Sequence, residues 1–349
     1  MKATELGGGF VIPDSIVVQQ ASSLATATFI ANLVGPADRV ADLTAGLGIN
    51  TICFARRCRE VTAVEKDSCR AEALRVNISN LGINNVEVES EDCIRWLASS
   101  AKAIDVAFAD PSRRTAGGAR KFLLQDYQPD INEIIPLLPS SCRRFLVKVS
   151  PLLDLTACMA YVPTIAGFYV VEYKREVKEL ILDIRPGEDI PENPFITCVR
   201  LSDNQPPELW DFTVADLNSR NLPEYVKNKD AIEEGIYLYE PSPSLMKAAT
   251  VNALASHFPT LRKLSANTHL FVRREIYDSF PGRKFRIEGF VASSDLKKLK
   301  GSSFSVISRN HPAKAQEIES RFRLRASDTD FLIACTVGKE KAILKCNKI

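Results

Sequence analysis

Short apolar segments alternate with helical segments between residues 39 and 149, and this alternation constrains the fold more than any other feature of the chain. The apolar segments predict strands at 39–43, 60–65, 86–89, 104–109 and 144–149, with helices predicted at 50–57, 68–81 and 130–138. Strands that are joined through helices run parallel, because each connection crosses back over the sheet in a right-handed sense. The sequence therefore predicts an α/β fold with a mostly parallel sheet and helices on both faces.

The flanking segments predict where the domains begin and end. A helix is predicted over 14–34, and a hairpin formed by 167–174 and 178–184 predicts an antiparallel edge of the sheet. Prolines are frequent after residue 185, which indicates that the α/β domain ends there. We expect a helical N-terminal segment (1–36), an α/β domain (37–186), a connecting region (187–275) and a small C-terminal domain (276–349).

The C-terminal part of the chain has its own pattern of predicted elements. The connecting region predicts a strand at 195–201 and a helix at 244–258. The small domain predicts strands at 284–292 and 304–307, a helix at 313–323, and a hairpin formed by 331–337 and 342–346. This order of strands and one helix indicates a small α+β domain.

The net charge of +2 conceals an uneven distribution of charge along the chain. Residues 259–349 contain 19 basic and 9 acidic residues, whereas residues 1–258 have a net charge of −8. An acidic body joined to a basic tail is typical of proteins that contact nucleic acids or membrane surfaces. Because no stretch approaches 18 consecutive apolar residues, the sequence predicts no membrane span.

The cysteines and the N-terminus indicate a reducing, cytoplasmic environment. The nine cysteines form no C-x-x-C pair and lie mostly in apolar or helical segments, where thiols behave as small hydrophobic groups. With only three histidines and no ligand-like spacing, we predict no metal site. The segment MKATELGGGFVIP lacks the apolar core of a signal peptide.

A glycine-containing loop, Thr44-Ala45-Gly46-Leu47-Gly48, follows the first predicted strand. Glycines let a ligand approach the backbone, and the helix N-terminus that follows offers unpaired N–H groups. Glu65 ends the next strand, where an acid accepts hydrogen bonds from ribose hydroxyls. The alternative is that Gly46 and Gly48 only form a tight turn.

Two details of this loop favour a cationic cofactor over a dinucleotide. Position 51 is Thr51 instead of the third glycine of a dinucleotide loop, and Asp42 places a carboxylate near where a pyrophosphate would lie. Because like charges repel, Asp42 suits a ligand with an ammonium group near the loop. S-adenosylmethionine (SAM) carries an ammonium group and a cationic sulfonium, so we predict SAM as the cofactor.

The pattern D-x-x-x-G-x-G, followed by a strand that ends in Glu, resembles the cofactor site of class I methyltransferases. This resemblance implies that Asp92, after the third strand, contacts the adenine amine of the cofactor. The predicted cofactor-binding residues are Asp42, Thr44, Ala45, Gly46, Gly48, Glu65 and Asp92.

The fourth predicted strand ends in Asp110-Pro111-Ser112-Arg113. Ligands of open α/β sheets bind at the carboxyl ends of strands, so Asp110 is expected to face the methyl group of the cofactor. The motif resembles the D-P-P-[YF] of amino-methylating enzymes and is closer to the D-P-P-R of several RNA-modifying methyltransferases. We predict Asp110, Pro111, Ser112 and Arg113 as the catalytic segment. The alternative is that Asp110 only caps a helix.

A covalent mechanism, as in pyrimidine C5 methylation, needs a cysteine thiolate beside the target base. No cysteine lies in the loop that contains Asp110 or in the loop that contains Lys148. Direct transfer to a nitrogen whose lone pair is oriented by Asp110 fits the sequence better.

Basic residues near the Asp110 motif and in the tail are candidates for contacts with RNA phosphates. They are Arg114, Lys148, Arg283, Lys284 and Arg309. Basic side chains pair with phosphate oxygens, and such contacts weaken as salt rises. The alternatives are a contact between Lys148 and Asp110, a solvated charged loop, and a basic tail that only increases solubility.

Several segments together resemble one bacterial family, the class I SAM-dependent methyltransferases with a C-terminal THUMP-like domain. They are Gln20, Ser22-Ser23, Asp42-Leu43-Thr44-Ala45-Gly46, Asp110-Pro111-Ser112-Arg113-Arg114, Lys148-Val149-Ser150-Pro151-Leu152-Leu153-Asp154, Lys178-Glu179-Leu180, Tyr239-Glu240-Pro241, Phe280-Pro281-Gly282-Arg283 and Arg309-Asn310-His311-Pro312. The resemblance covers nearly the whole chain. It implies a Rossmann-like methyltransferase sheet in 37–186 and a basic THUMP-like domain in 276–349.

The resemblance also implies an activity and a partner. The expected function is SAM-dependent methylation of a base nitrogen in structured RNA, either tRNA or rRNA. Two alternatives remain open: a methyltransferase that acts on a small molecule or a protein, and a non-catalytic protein that binds SAM or RNA. No motif in the sequence indicates an oligomeric state.

Overall fold

The computed structural model describes Val11 and residues 23–113, 123–218, 223–292 and 294–349. The chain forms two units, Met1–Val214 and Ala215–Ile349. Within the described residues, the first unit contains a nine-stranded sheet and the second an eight-stranded sheet. Gln20, Ser22 and Arg114 lie outside the described residues.

The strands of the first unit match the predicted alternation closely. They are β1 (Arg39–Asp42), β2 (Glu60–Val64), β3 (Val86–Glu89), β4 (Val106–Ala109), β5 (Ser112–Arg113), β6 (Tyr127–Gln128), β7 (Arg144–Val149), β8 (Ile165–Tyr173), β9 (Glu176–Ile184), β10 (Phe195–Leu201) and β11 (Glu208–Thr213). The order across the main sheet is β11-β10-β8-β9-β7-β4-β1-β2-β3, and β5 and β6 form a separate antiparallel ribbon.

The helices of the first unit connect these strands. They are α1 (Leu24–Ala31), α2 (Ile49–Ala55), α3 (Ser68–Asn80), α4 (Cys93–Ser99), α5 (Ile131–Ile134) and α6 (Leu155–Tyr161). The helix predicted over 14–34 is thus described from Leu24, where Ser23 caps it by accepting a hydrogen bond from the Thr26 N–H at 3.2 Å. None of the helices in the described ranges combines the length and the hydropathy that a membrane-spanning helix needs.

The core of the first unit lies along its parallel strands. β1 pairs in parallel with β2 and β4, and β4 pairs in parallel with β7. All residues of β4 are buried, as expected for a strand that is covered on both faces. The rings of Phe54 and Phe108 pack edge to face at 5.2 Å between centroids, which ties α2 to the sheet. The nine cysteines are free thiols and only Cys69 is exposed.

The sheet continues beyond the predicted boundary at residue 186. β9 runs antiparallel to β7 and β8, which gives the predicted antiparallel edge, and the proline-containing segment then leads into β10 parallel to β8. A Cβ at Gly167 would lie 2.3 Å from the ring of Phe195, so β10 packs directly over the glycine in β8. The first unit therefore ends near residue 214, because β10 and β11 complete its sheet.

The second unit is an α+β structure, as the tail pattern predicts. Its strands are β12 (Glu224–Tyr225), β13 (Tyr237–Pro241), β14 (Arg262–Ser265), β15 (Thr268–Arg273), β16 (Gly282–Phe290), β17 (Ser305–Arg309), β18 (Asp330–Val337) and β19 (Glu340–Lys348), in the order β12-β14-β15-β13-β16-β19-β18-β17. The helices after β11 are α7 (Val214–Leu217), α8 (Pro243–Lys247), α9 (Leu254–His257) and α10 (Ala315–Phe322).

Two predictions for this region differ from the structure. The small domain does not begin at residue 276, because β13 pairs with both β15 and β16 and so joins the preceding strands to the same sheet. The single helix predicted over 244–258 is wrong: α8 and α9 are separate short helices. Ala249 adopts a left-handed conformation with φ +58°, which ends the first of them.

A buried ion pair at the end of the first sheet opposite to the glycine loop gives a testable prediction. Asp183 is fully buried in β9 and lies 2.5 Å from the Arg144 guanidinium in β7, which also donates to the Tyr169 hydroxyl at 2.9 Å. The substitution Asp183→Ala should lower the free energy of unfolding by about 3–5 kcal/mol, because it leaves a buried charge without its partner. Denaturant unfolding measures this change.

The matched control is Asp203→Ala, which removes an aspartate that is 63% exposed and 3.7 Å from Lys174. Exposed ion pairs contribute little, so we expect less than about 1 kcal/mol from this change. Equal effects of the two substitutions would contradict a structural role for the buried pair.

Candidate active site at the carboxyl edge of the first sheet

The carboxyl ends of the parallel strands meet at one edge of the first sheet and surround a cavity of 360 Å³. The loops after β1, β2, β3 and β4 all contribute to its wall. The predicted site residues that line it are Thr44, Ala45, Gly46, Glu65, Asp92, Asp110 and Ser112. This is the location at which open α/β sheets bind their ligands.

The loop between β1 and α2 owes its shape to two glycines. Gly46 and Gly48 have φ values of +54° and +82°, in the left-handed region that favours glycine. The backbone around Gly46 is open, whereas a Cβ at Gly48 would lie 2.1 Å from the Leu74 side chain. Gly46 therefore allows a close approach from the cavity, and Gly48 allows α2 to begin in contact with α3.

Asp42 lies beneath this loop and not in the cavity wall. Its carboxylate is 1% exposed and accepts a hydrogen bond from the Thr51 hydroxyl at 2.6 Å. Burial raises the pKa of Asp42 to about 7, and the negative charges of Asp110 and Glu65 act in the same direction. The ammonium group predicted to pair with Asp42 would therefore interact with it electrostatically, with the glycine loop between them, and not by direct contact.

Glu65 is held against the glycine loop by one of two backbone hydrogen bonds that fix its carboxylate. The N–H of Gly46 donates to Glu65 Oε2 and the N–H of Asp67 donates to Oε1, both at 2.9 Å. Each carboxylate oxygen has further lone pairs that can accept hydrogen bonds from hydroxyl groups. The orientation of Glu65 is thus set before any ligand binds.

Asp92 combines two roles at the start of α4. Its Oδ1 accepts hydrogen bonds from the N–H groups of Ile94 and Arg95, at 3.1 and 3.4 Å, which makes it the N-cap of the helix. The same residue lines the cavity, next to the buried thiol of Cys93. Capping fixes the carboxylate against the cavity wall.

Asp110 is linked to a buried lysine behind the cavity. Lys148 Nζ lies 2.6 Å from Asp110 Oδ2, and the Asp110 N–H donates to the Thr44 hydroxyl at 2.7 Å. Burial raises the pKa of Asp110, and the positive charge of Lys148 opposes this effect. Asp110 therefore connects the glycine loop to β7, and Pro111 is buried behind it.

Lys148 also faces a second acid that the sequence did not single out as a site residue. Glu179 Oε2 in β9 lies 3.8 Å from Lys148 Nζ, and the Thr26 hydroxyl in α1 donates to Glu179 Oε1 at 3.5 Å. Burial lowers the pKa of Lys148, but the charges of Asp110 and Glu179 outweigh it and raise the value. Lys148 is 7% exposed and so is not positioned as a surface contact for phosphate.

The catalytic segment continues into the β5–β6 ribbon. Ser112 pairs with Gln128 and Arg113 with Tyr127 through the backbone, and Ser112 and Gln128 line the cavity. The Tyr127 hydroxyl accepts a hydrogen bond from the Ser150 N–H at 3.2 Å. This contact ties the ribbon to the segment that follows β7.

Two of the predicted RNA contacts in the second unit are paired with a buried acid. Arg283 and Arg309 each lie within hydrogen-bond distance of a different carboxylate oxygen of Glu240, at 2.6 and 2.7 Å. Glu240 is 3% exposed, so this pairing joins β13, β16 and β17. The one carboxylate also offsets part of the positive charge of the two arginines. Lys284 donates to the Asp278 carbonyl at 2.8 Å.

The cavity is strongly acidic. Its charged lining residues are Glu65, Lys66, Arg70, Glu91, Asp92, Asp110, Asp130 and Glu133. Asn50 also lines the cavity, and its Oδ1 is buried without a hydrogen-bond partner in the described part of the chain. The cavity therefore suits a ligand that is cationic and that donates hydrogen bonds.

Comparison with known proteins supports the architecture. No curated protein matches the sequence, and the family model of a ferredoxin-like domain matches residues 237–281. The crystal structure of a "putative methyltransferase" from Porphyromonas gingivalis W83 is similar to 97% of this chain, and the match covers 84% of that chain, with 26% identity and a TM-score of 0.84.

Two further solved structures are similar to 47% of this chain. An rRNA methylase from Streptococcus thermophilus has 18% identity, 95% of its own chain covered and a TM-score of 0.33. TrmK of M. capricolum in complex with S-adenosylhomocysteine has 10% identity, 68% covered and a TM-score of 0.36. Since both TM-scores are below 0.5, these two structures carry no argument about the fold. The chain has a Rossmann-like methyltransferase fold followed by a ferredoxin-like domain.

Proposed function

We propose that this protein is a SAM-dependent methyltransferase that acts on a base nitrogen of a structured RNA. The observation that carries the proposal is the acidic cavity at the carboxyl edge of the first sheet, where Glu65, Asp92 and Asp110 converge on the glycine loop. The methyltransferase fold of the first unit is consistent with this activity.

The residues around the cavity fit SAM group by group. Glu65 has lone pairs for two ribose hydroxyls, and Asp92 is fixed where it can accept a hydrogen bond from the adenine amine. The unpartnered Oδ1 of Asn50 offers an acceptor for the ammonium group. The excess of acids favours a ligand with a net positive charge. When bound, SAM supplies an electrophilic methyl group on a cationic sulfur.

Asp110 is the residue that meets the acceptor nitrogen in this proposal. Its carboxylate is about one-third exposed, at 32%, and Lys148 fixes it from behind. A carboxylate in this position accepts a hydrogen bond from the target amine and so aims the nitrogen lone pair at the methyl group. Orientation of this kind is the main contribution that the protein has to make to a direct transfer.

The structure brings one cysteine to the cavity, but its state disfavours a covalent mechanism. Cys93 lines the cavity, and burial raises the pKa of its thiol to about 12. A nucleophilic cysteine has to be a thiolate, which this environment suppresses at neutral pH. Methyl transfer to nitrogen without a covalent intermediate therefore remains the better proposal.

The charge of the second unit supports RNA as the partner. Residues 215–349 contain 23 basic and 15 acidic residues, whereas residues 1–214 have a net charge of −6. Arg274 and Lys298 pair with Glu233 and Asp295, but 73% and 79% of their side chains are exposed, so phosphate oxygens can compete for them. THUMP-like binding of RNA by this unit is part of the proposal.

The acidic lining supports a second candidate, methylation of an amine on a small molecule or a protein. Asp130 and Glu133 line the cavity beyond Asp110 and would repel a nearby phosphate. Salt distinguishes RNA from a small amine: methylation of RNA should slow steeply as ionic strength rises, whereas methylation of a small molecule that makes few ionic contacts should change little.

The proposed function is tested by comparing the modified nucleosides of tRNA and rRNA from a deletion strain with those of the parent strain by mass spectrometry. We expect one N-methylated nucleoside to disappear and to return with the wild-type gene. Identical nucleoside profiles would count against RNA as the substrate.

The Asp110→Asn substitution tests the catalytic assignment in the same strain. We expect the methylated nucleoside to remain absent, while the purified variant binds SAM within about tenfold of the wild-type affinity, or about 1.4 kcal/mol. The exposed Asp203→Asn serves as the control and should restore the nucleoside. Full restoration by the Asp110 variant would exclude Asp110 from the reaction.

The Glu65→Ala substitution tests the cofactor site without any knowledge of the substrate. Loss of hydrogen bonds to a charged acceptor should weaken SAM binding by roughly 1–3 kcal/mol, measured by titration calorimetry. Glu60→Ala removes an exposed acid at the start of β2, the strand that Glu65 follows, and should leave the affinity unchanged. An unchanged affinity in the Glu65 variant would contradict the ribose contact.

A further inference from the structure

Four ionisable side chains lie close together next to the inner wall of the cavity: Asp42 in β1, Asp110 after β4, Lys148 in β7 and Glu179 in β9. We call them the Lys148 cluster. Lys148 Nζ lies 2.6 Å from Asp110 and 3.8 Å from Glu179, and Asp42 interacts electrostatically with both Lys148 and Asp110. The side chains of Lys148 and Glu179 are only 7% and 14% exposed. One ammonium group thus interacts with three carboxyl groups, of which Asp42 is buried, Glu179 is mostly buried and Asp110, at 32% exposed, faces the cavity.

Such a cluster does not keep all of its carboxyl groups ionised at neutral pH. With every acid charged, its net charge would be −2, and an uncompensated buried charge is costly. Burial raises the pKa of Glu179 to about 7, with Asp110 adding to the effect and Lys148 opposing it. The pKa of Asp42 is also raised to about 7 by burial. The cluster therefore holds a proton in exchange with solvent near neutral pH.

The groups that face Glu179 come from each neighbouring element. Among the described residues they are Lys148 in β7, Asp110 after β4, the Thr26 hydroxyl in α1 and the adjacent Lys178. Asp42 is faced by the Thr51 hydroxyl, the Thr44 N–H, Asp110 and Glu65. Lys148 supplies the positive charge within the cluster. A further cation bound beside Asp110 would therefore change the net charge that the carboxyl groups of the cluster experience.

We propose that the Lys148 cluster exchanges a proton for the positive charge of the cofactor: Glu179 releases a proton when SAM binds and takes one up when the methyl group has been transferred. This inference rests on the proposed function. It follows from the chain of contacts that leads from the cavity through Asp110 and Lys148 to Glu179.

In this proposal the methyl transfer conserves both protons and charge. The carbon–sulfur bond breaks with its electron pair left on sulfur, a carbon–nitrogen bond forms, and the nitrogen loses one proton. Asp110 accepts that proton and, because its side chain is 32% exposed, passes it to solvent. Glu179, whose Oε2 lies 3.8 Å from Lys148 Nζ, takes up one proton from solvent and becomes neutral. The positive charge lost at sulfur is thereby replaced by a proton within the same buried region.

The sign of the linkage follows from electrostatics. A cation near a carboxyl group favours its ionised form and lowers its pKa, so binding of SAM releases protons. Because protons are released, the affinity for SAM rises with pH through the neutral range. S-adenosylhomocysteine has a neutral sulfur and should show a weaker rise.

Titration calorimetry of the full-length protein with each of the two ligands tests the inference. At about pH 7, titrations in phosphate and in Tris, which have different ionisation enthalpies, give the number of protons released per ligand. Since groups with a pKa near 7 are half protonated there, we expect SAM to release about half to one proton more than S-adenosylhomocysteine.

Glu179→Gln keeps the size of the side chain and removes its proton exchange. We expect it to reduce the difference between the ligands by about half a proton, with affinity for S-adenosylhomocysteine within about twofold of wild type, or 0.4 kcal/mol. The matched control is Glu176→Gln in the same strand, whose side chain is 70% exposed and pairs with Lys178. It should leave both proton counts unchanged.

The outcomes separate this inference from the proposed function. Equal proton release for the two ligands in the wild-type protein would overturn the inference and leave SAM binding intact, and this comparison needs no variant to fold. An unchanged difference in a folded Glu179 variant would overturn the role of Glu179. If neither ligand binds, the proposed function itself fails, and the inference falls with it.

Discussion

The arrangement of the candidate site depends on one buried ammonium group, that of Lys148. An ammonium taken out of water loses hydration worth several kcal/mol, so it stays charged only where carboxylates compensate it. Asp110 and Glu179 supply that compensation from either side, at 2.6 and 3.8 Å. The pair fixes Asp110 at the edge of the cavity, and the order β4-β7-β9 is what brings the three side chains together.

Much of the first sheet could be predicted from sequence, because its strands are short apolar runs bounded by polar residues. The predicted strands at 86–89 and 144–149 agree with β3 and β7 to the residue. The prediction of a continuous helix over 244–258 was wrong, because the break in it has no such signal in the sequence. The break depends on Ala249, whose left-handed conformation no residue preference signals.

Only the part of the candidate site that lies at the carboxyl ends of the parallel strands could be predicted from the sequence. The carboxyl ends of parallel strands share one edge of the sheet, which brings Gly46, Glu65 and Asp110 together. The alternation of strands and helices in the sequence is sufficient to predict this arrangement. Glu179 reaches Lys148 through an antiparallel strand whose register, with Lys148 opposite Ile181, sequence does not reveal. The number of charged residues in the tail likewise could not show that Glu240 forms ion pairs with Arg283 and Arg309.

The hydrogen bond between Thr51 and Asp42 has a consequence for how such a loop can evolve. Asp42 tolerates its nearly complete burial because the Thr51 hydroxyl, one turn into α2, donates to it at 2.6 Å. Replacing Thr51 alone would leave a buried carboxylate without that donor, and replacing Asp42 alone would leave a hydroxyl without its acceptor. The two positions are therefore energetically coupled, and a substitution at one of them should destabilise the loop less when the other is replaced as well.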